Sequence, residues 1–182
     1  MEDYLIEFAS PTLASLKAGS LFNYAYPSEE ELTQEMERWN AVLSKKGVRL
    51  RLLRLRNGRA LIYLYRASQM QERMRNPEIQ RFLRRCGYCT FALQDVLQHL
   101  EERVQGEGEF PHEIGIFLGY PLEDVVGFIR CKGCGYKCAG LWKVYGDEEQ
   151  AKRCFAEYAK CRSIYRSLWR GGKSVEQLTV AV

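Results

Sequence analysis

The chain has 182 residues, 46% of them hydrophobic and 27% charged, with a formal net charge of +4. That length suffices to bury about two thirds of the unfolded surface without disulfides or metal, the composition excludes a disordered chain, and no apolar run approaches the ~20 residues a membrane span needs. Seven cysteines are too few for a disulfide scaffold and too odd a number to pair internally.

Met1 leads straight into Glu2 and Asp3, without the basic and apolar regions of a signal peptide, so a soluble cytosolic protein with reduced thiols is expected. Ser10-Pro11 reads as an N-cap with proline at the first helical position, starting a short helix that Gly19 ends. Phe22, Tyr24 and Tyr26 alternate at period two, the mark of a strand near 20–26. Ser28 and Glu31 form a capping-box pattern. Leu32, Met36, Trp39 and Leu43 then recur at helical spacing until Gly47. Asn57-Gly58 is the preferred type I′ turn, joining strands near 48–56 and 59–66 and setting Arg56 opposite Arg59 and Leu52 opposite Tyr63. Regular alternation then places Leu50, Leu52, Leu61, Tyr63 and Tyr65 on one face. It places Leu53, Leu55, Ile62 and Leu64 on the other, with Arg49, Arg51 and Arg66 at that face's far end. Apolar residues on both faces predict a hairpin covered on both sides.

Helical starts follow at Ser68, at Asn76-Pro77 and at Thr90, the last carrying the stripe Leu93, Val96, Leu97, Leu100 and Val104. Pro111 and Pro121 each begin a short helix. Leu141 to Tyr145 reads as a strand near 140–145, and Glu148 to about Trp169 as a long helix. The expectation is a single α+β domain over 1–182, its small, mostly antiparallel sheet covered by helices.

The densest polar constellation is FPHEIGIFLGYPLEDVVGFI, residues 110–129. His112 and Glu113 fall in the first turn of one predicted helix, Glu123 and Asp124 in that of the next. First-turn carboxylates favour the positive end of the macrodipole and are most simply caps. A cation is disfavoured there, which suits His112 to a proton acceptor or a ligand. HExxH is excluded because residue 116 is Ile. Lys17 reads as a cation at a helix C-terminus, beside Ser20. Lys143 lies in the apolar run LWKVY, either on the solvent face or reaching an anion.

The stretch 110–129, with GLWKVYGDEEQAKRCFAEYAKCRSIY (140–165) and SPTLASLKAGSLFNY (10–24), resembles the domain of unknown function 3793 family, which is associated with anaerobic Gram-positive bacteria. The resemblance runs from about residue 9 to the end. It implies no reaction and no cofactor. It does mark Lys17, His112, Glu113, Glu123, Asp124 and Lys143 as the polar members of the signature stretches. Cys138 and Cys161 match common positions of that family, whereas Cys86, Cys89, Cys131 and Cys134 do not define it.

The cysteines form a second candidate. Cys86 and Cys89 make one CxxC; Cys131, Cys134 and Cys138 make CxxCxxxC. Two thiolate pairs suit a tetrahedral zinc site or an iron site, with Gly87, Gly133 and Gly135 at the turns. The Cys89-to-Cys131 gap is far longer than in a zinc ribbon, and the radical-SAM order CxxxCxxC is reversed here. Buried thiols are the simpler account. Charge supplies a third. Residues 45–85 hold thirteen Lys or Arg against two acids, a local +11 that leaves −7 for the rest of the chain. Arg49, Arg51 and Arg56 on the hairpin suit phosphate or a nucleic-acid backbone. The alternative is neutralisation by Glu29, Glu30, Glu31, Glu35 and Glu37 on the preceding helix. No GxGxxG, GxSxG, RNP, helix-turn-helix or KH pattern occurs. The leading expectation is a small-molecule-binding protein or enzyme. It has no membrane partner, and a small ligand is favoured over nucleic acid. Its polar site lies at the FPHE turn, with His112 or Glu113 as acid or base and Lys17 and Lys143 as anion contacts.

Overall fold

The computed structural model describes residues 1–181, and its architecture is built outward from the Asn57-Gly58 hairpin. Both turn residues take positive φ, +51° and +69°, the type I′ geometry whose twist matches the strands. The turn joins β2 (Val48–Arg56) to β3 (Arg59–Arg66). β1 (Gly19–Ala25) pairs antiparallel with the other side of β3, so the sheet order is β1-β3-β2. Every β3 residue after Arg59 is buried, as a strand covered on both faces requires.

The register holds one correction. A bulge between Leu52 and Arg54 places Leu52 opposite Ile62 rather than Tyr63. An extra residue inverts the facing of everything beyond it. Leu50 and Leu52 therefore join Ile62 and Leu64 in one core, and Leu53 joins Leu61, Tyr63 and Tyr65 in the other.

The first core is closed by α1 (Glu2–Leu13), α2 (Glu29–Leu43), the end of α8 (Glu148–Arg170) and α9 (Val175–Leu178). α1 overturns the reading of Ser10-Pro11 as a helix start. Leu5, Ile6, Ala9 and Leu13 form its buried stripe, and Pro11 lies in its last turn. The buried Ser10 hydroxyl donates back to the Ile6 carbonyl rather than capping. Ser28 does cap α2, accepting from Glu31 N–H at 3.2 Å. On the outer edge of β2 the Asn40 side chain donates to Leu50 O (3.0 Å) and accepts from Leu50 N–H (2.8 Å). It satisfies one residue of the open strand and blunts the edge.

The second core is closed by α3 (Ala67–Arg75), α4 (Pro77–Arg85), α5 (Leu93–Gln105), α6 (Ile114–Phe117) and α7 (Leu122–Arg130). α3 begins without a side-chain cap from Ser68, and α5 begins three residues after Thr90. The strand expected at 140–145 is not part of the sheet. β4 (Cys138–Ala139) and β5 (Lys143–Val144) pair only with each other, and this short ribbon lies against α7. Gly127 makes that approach possible, since a Cβ there would fall 2.4 Å from Tyr145 Cγ. The fold is α+β, a small antiparallel sheet with helices packed on both faces. No helix among the described residues is long and apolar enough to cross a membrane.

Candidate functional site

The signature stretch is held in place by the sheet. Tyr63, wholly buried on β3, donates to Phe117 O at 2.6 Å, and burial pushes its phenol well above the ordinary value. Arg73 on α3 donates from Nε to Ile116 O (3.0 Å) and from Nη2 to Tyr120 O (2.8 Å). Three carbonyls of the Ile116–Tyr120 turn are thereby fixed. Gly19 leaves room for this junction, because a Cβ there would lie 2.6 Å from Phe117 O. The turn presents the Tyr120 ring, which stacks on Trp142 with centroids 4.6 Å apart. Phe155 of α8 meets the other side of Trp142 edge-on at 4.5 Å.

Asp124 carries the connection between α7 and the ribbon. It is 3% exposed. Its Oδ2 accepts from Trp142 Nε1 at 2.7 Å, and its Oδ1 accepts from the backbone N–H groups of Tyr145 (2.7 Å) and Gly146 (2.8 Å). A buried carboxylate needs such donors. With all three engaged, Asp124 is an anchor, and its position in the first turn of α7 is secondary.

Between α6, α7 and the ribbon lies a cavity of about 380 Å³. Tyr120, Phe128, Trp142, Val125 and Leu141 make its apolar walls, and His112 and Lys143 are at its edge. His112 is exposed, with its ring 4.8 Å from Phe128 and edge-on to it. It precedes a helix of only four residues, so the first-turn dipole argument does not apply to it. Its imidazole has no hydrogen-bond or ion-pair partner among the described residues. Lys143 neither faces open solvent nor meets a carboxylate. Its ammonium donates to Gly133 O at 2.8 Å and lies 4.9 Å from the Tyr136 ring centroid and 5.8 Å from that of Phe128. One bond uses one of three donors.

The other expected site residues lie elsewhere. Glu113 is 3% exposed and turned toward α5, where its Oε1 accepts from Arg103 Nε at 2.7 Å; the pairing raises the Arg103 pKa. Glu123 is exposed on α7, against Gly146. Ser20 is buried, its hydroxyl 2.8 Å from that of Thr12. Lys17 does not cap a helix. α1 ends four residues earlier, and its last carbonyls are taken by Arg66, which donates to Thr12 O (2.6 Å) and Leu13 O (2.5 Å). Lys17 stands behind the cavity wall, 5.5 Å from the Tyr120 ring centroid.

All seven cysteines are free, and no group of three or more Cys, His, Asp or Glu side chains among the described residues is placed to hold a metal. Cys86 is half-buried, and burial, with a smaller contribution from Glu113, pushes its thiol up to about 11. The residues 131–138 turn on Lys132, Gly133 and Gly135, all at positive φ. Its knuckle is tied by Tyr145 Oη, which donates to Cys134 O at 3.1 Å.

The basic segment does not present one stripe. Arg66 is fully buried and Arg73 bonds the 116–120 turn. Arg51 is paired at 2.8 Å with Glu101 of α5, while Arg49 and Arg56 are exposed. Among the described residues no ion pair joins the acids of α2 to this segment; Glu35 takes the Met1 amino group (2.8 Å) and the Tyr24 hydroxyl (2.5 Å) instead. The cavity's aromatic walls were not among the residues singled out from sequence. The only signal for them was aromatic residues inside the signature stretches.

The model of the family described as "Protein of unknown function (DUF3793)" matches residues 5–179, nearly the whole chain. No curated protein and no solved structure matches it.

Proposed function

This chain belongs to the DUF3793 family, and from that premise we propose that it binds, and as an enzyme would act on, a small ligand with an apolar aromatic body and an anionic group. The carrying observation is the cavity of about 380 Å³ walled by the Tyr120–Trp142 stack and edged by two side chains with unused hydrogen-bonding capacity, His112 and Lys143. Its size lies within the range of small-molecule sites, ~300–1,000 Å³. The rings accept a planar apolar body. Lys143 supplies the charge for an anion, and its two free N–H donors the hydrogen bonds. His112 is the candidate acid or base, because its imidazole lines the cavity with no hydrogen-bond partner among the described residues and can accept or donate a proton there. Glu113 is excluded from that role by its ion pair and by facing away from the cavity. Asp124 also lines the cavity, but both of its oxygens are engaged in holding the walls.

The test uses 1-anilinonaphthalene-8-sulfonate, an aromatic sulfonate, titrated against the full chain by its own fluorescence. Binding is expected at one site, at least tenfold weaker in Trp142→Ala and Lys143→Met, with His112→Ala less affected. Unchanged affinity in both Trp142→Ala and Lys143→Met overturns the reading.

A further inference from the structure

α7 ends in a turn that carries a thiol at each end. Cys131 N–H donates to Gly127 O (2.9 Å) and Gly133 N–H to Phe128 O (2.9 Å), so the helix pins the turn. Cys134 N–H then donates back to Cys131 O at 2.9 Å, and the two central residues, Lys132 and Gly133, have φ of +49° and +73°. A turn closed by that bond keeps its end Cα atoms within about 7 Å, and a disulfide spans Cα atoms about 4.4–6.8 Å apart. The Cys134 thiol curls back over the turn, its Sγ 3.9 Å from Lys132 O. Cys134 is exposed and Cys131 half-buried, so a small reagent reaches the pair. No third metal-ligating side chain joins them among the described residues, which separates a dithiol from a metal knuckle. The other CxxC differs at each point. The N–H groups of Cys86, Gly87 and Tyr88 bond back into α4, and Cys89 Sγ donates to Gly87 O at 3.7 Å. Burial keeps Cys86 a protonated, poorly nucleophilic thiol. The 131–134 turn also touches the cavity's cation. Gly133 O accepts from Lys143 Nζ at 2.8 Å, and a Cβ on Gly133 would fall 3.3 Å from that nitrogen and 3.2 Å from Phe128 Cε2.

We propose that Cys131 and Cys134 are a reversible dithiol–disulfide site that exchanges with low-molecular-weight disulfides and tightens the cavity's hold on its ligand when oxidised. The Cys134 thiolate attacks one sulfur of the small disulfide, forming a mixed disulfide and expelling one thiolate. Cys131, as thiolate, then attacks the Cys134 sulfur, closes the Cys131–Cys134 bond and expels the second. Both cysteine protons end on the two expelled thiolates, and two electrons pass from the cysteines to the small disulfide. The cross-link removes freedom at Gly133, whose carbonyl orients Lys143, so the ammonium meets an anion at a lower ordering cost. That coupling rests on the reading of the cavity as a ligand site; the disulfide does not.

The test equilibrates the full chain at pH 7 with mixtures of glutathione and its disulfide, quenches in acid, alkylates the remaining thiols and maps the peptides by mass spectrometry. The Cys131–Cys134 link is expected at a glutathione disulfide fraction at least tenfold lower than any Cys86–Cys89 link, and dithiothreitol should reverse it. In Cys131→Ser the reaction should stop at a mixed disulfide on Cys134. No such link, a link to Cys138 in its place, or Cys86–Cys89 closing as readily overturns the site. 1-anilinonaphthalene-8-sulfonate is then titrated against both forms. Its Kd should be about two- to tenfold lower for the oxidised chain. The Cys131→Ser/Cys134→Ser chain, checked for native circular dichroism, should bind alike with and without glutathione disulfide. Equal affinity of the two wild-type forms overturns the coupling while the disulfide stands. Sulfonate bound by neither form refutes the cavity reading and the coupling with it, and the peptide map alone decides the disulfide.

Discussion

Asp124→Asn isolates the link that shapes the cavity. The substitution keeps size and shape and changes only what one oxygen can do. Asn retains a carbonyl oxygen, which stays where two backbone donors converge, on Tyr145 and Gly146 N–H at 2.7 and 2.8 Å. The amide nitrogen then replaces Oδ2 and faces the Trp142 indole N–H, donor against donor. A hydrogen bond to a charged group contributes ~1.5–3 kcal/mol, so a loss of about 2 kcal/mol is expected. For a chain of this length that lowers Tm by roughly 4–8 °C. The indole, freed from its acceptor, no longer holds its stack on Tyr120, and 1-anilinonaphthalene-8-sulfonate affinity should fall with it. Thermal unfolding followed by circular dichroism measures the first effect. A double-mutant cycle with Trp142→Phe measures the bond itself, with a coupling of about 1–2 kcal/mol expected. A cycle additive within ~0.5 kcal/mol, or Asp124→Asn with unaltered Tm and sulfonate binding, refutes the anchoring role.

Three further outcomes follow from other parts of the fold. Arg66→Met removes a fully buried guanidinium that donates to Thr12, Leu13 and Val180 carbonyls. The charge-assisted bonds lost outweigh the relieved desolvation, and urea unfolding should show a net loss of about 3 kcal/mol. Lys17 loses its proton near pH 8 when folded but near 10.5 when unfolded. The unfolded state therefore binds more protons between those values, and wild-type stability should rise with pH there relative to Lys17→Met in phosphate-free buffer. Subtracting the variant removes opposing contributions from Cys86 and Cys161, whose thiols burial pushes up to about 11; a flat difference contradicts the burial of Lys17. Gly127→Ala places a Cβ 2.4 Å from Tyr145 Cγ, and forcing α7 off the ribbon should cost ~1–3 kcal/mol and weaken sulfonate binding, read in one thermal-shift titration.

Local chemistry carried much of the fold. The type I′ turn depends on two residues that tolerate positive φ, and the cap at Ser28 and the start at Asn76-Pro77 depend on nearest neighbours. These stand where expected, with Asn76 accepting from Glu78 and Ile79 N–H. Ser10-Pro11 carries the local pattern of a helix start yet lies in the last turn of α1, where the buried stripe Leu5, Ile6, Ala9 and Leu13 sets the helix's position. The bulge at Leu53 has no local signature, since Leu suits either face of a covered strand. Of the candidate site, His112, Asp124 and Lys143 were legible as polar members of the signature stretches, but their roles were not.

Composition, turn chemistry and apolar periodicity are short-range properties, and by themselves they determined the α+β class, the hairpin and most helices. The count of arginines in residues 45–85 was legible in the same way, yet its meaning was not. Tertiary packing buried Arg66 under α1, spent Arg73 on the Tyr120 turn and paired Arg51 with Glu101. It also set Lys17 over the ring of Tyr120, 103 positions away, with no carboxylate paired to it among the described residues. What a charged side chain does depends on which distant groups share its low-dielectric surroundings, and only the folded chain decides that.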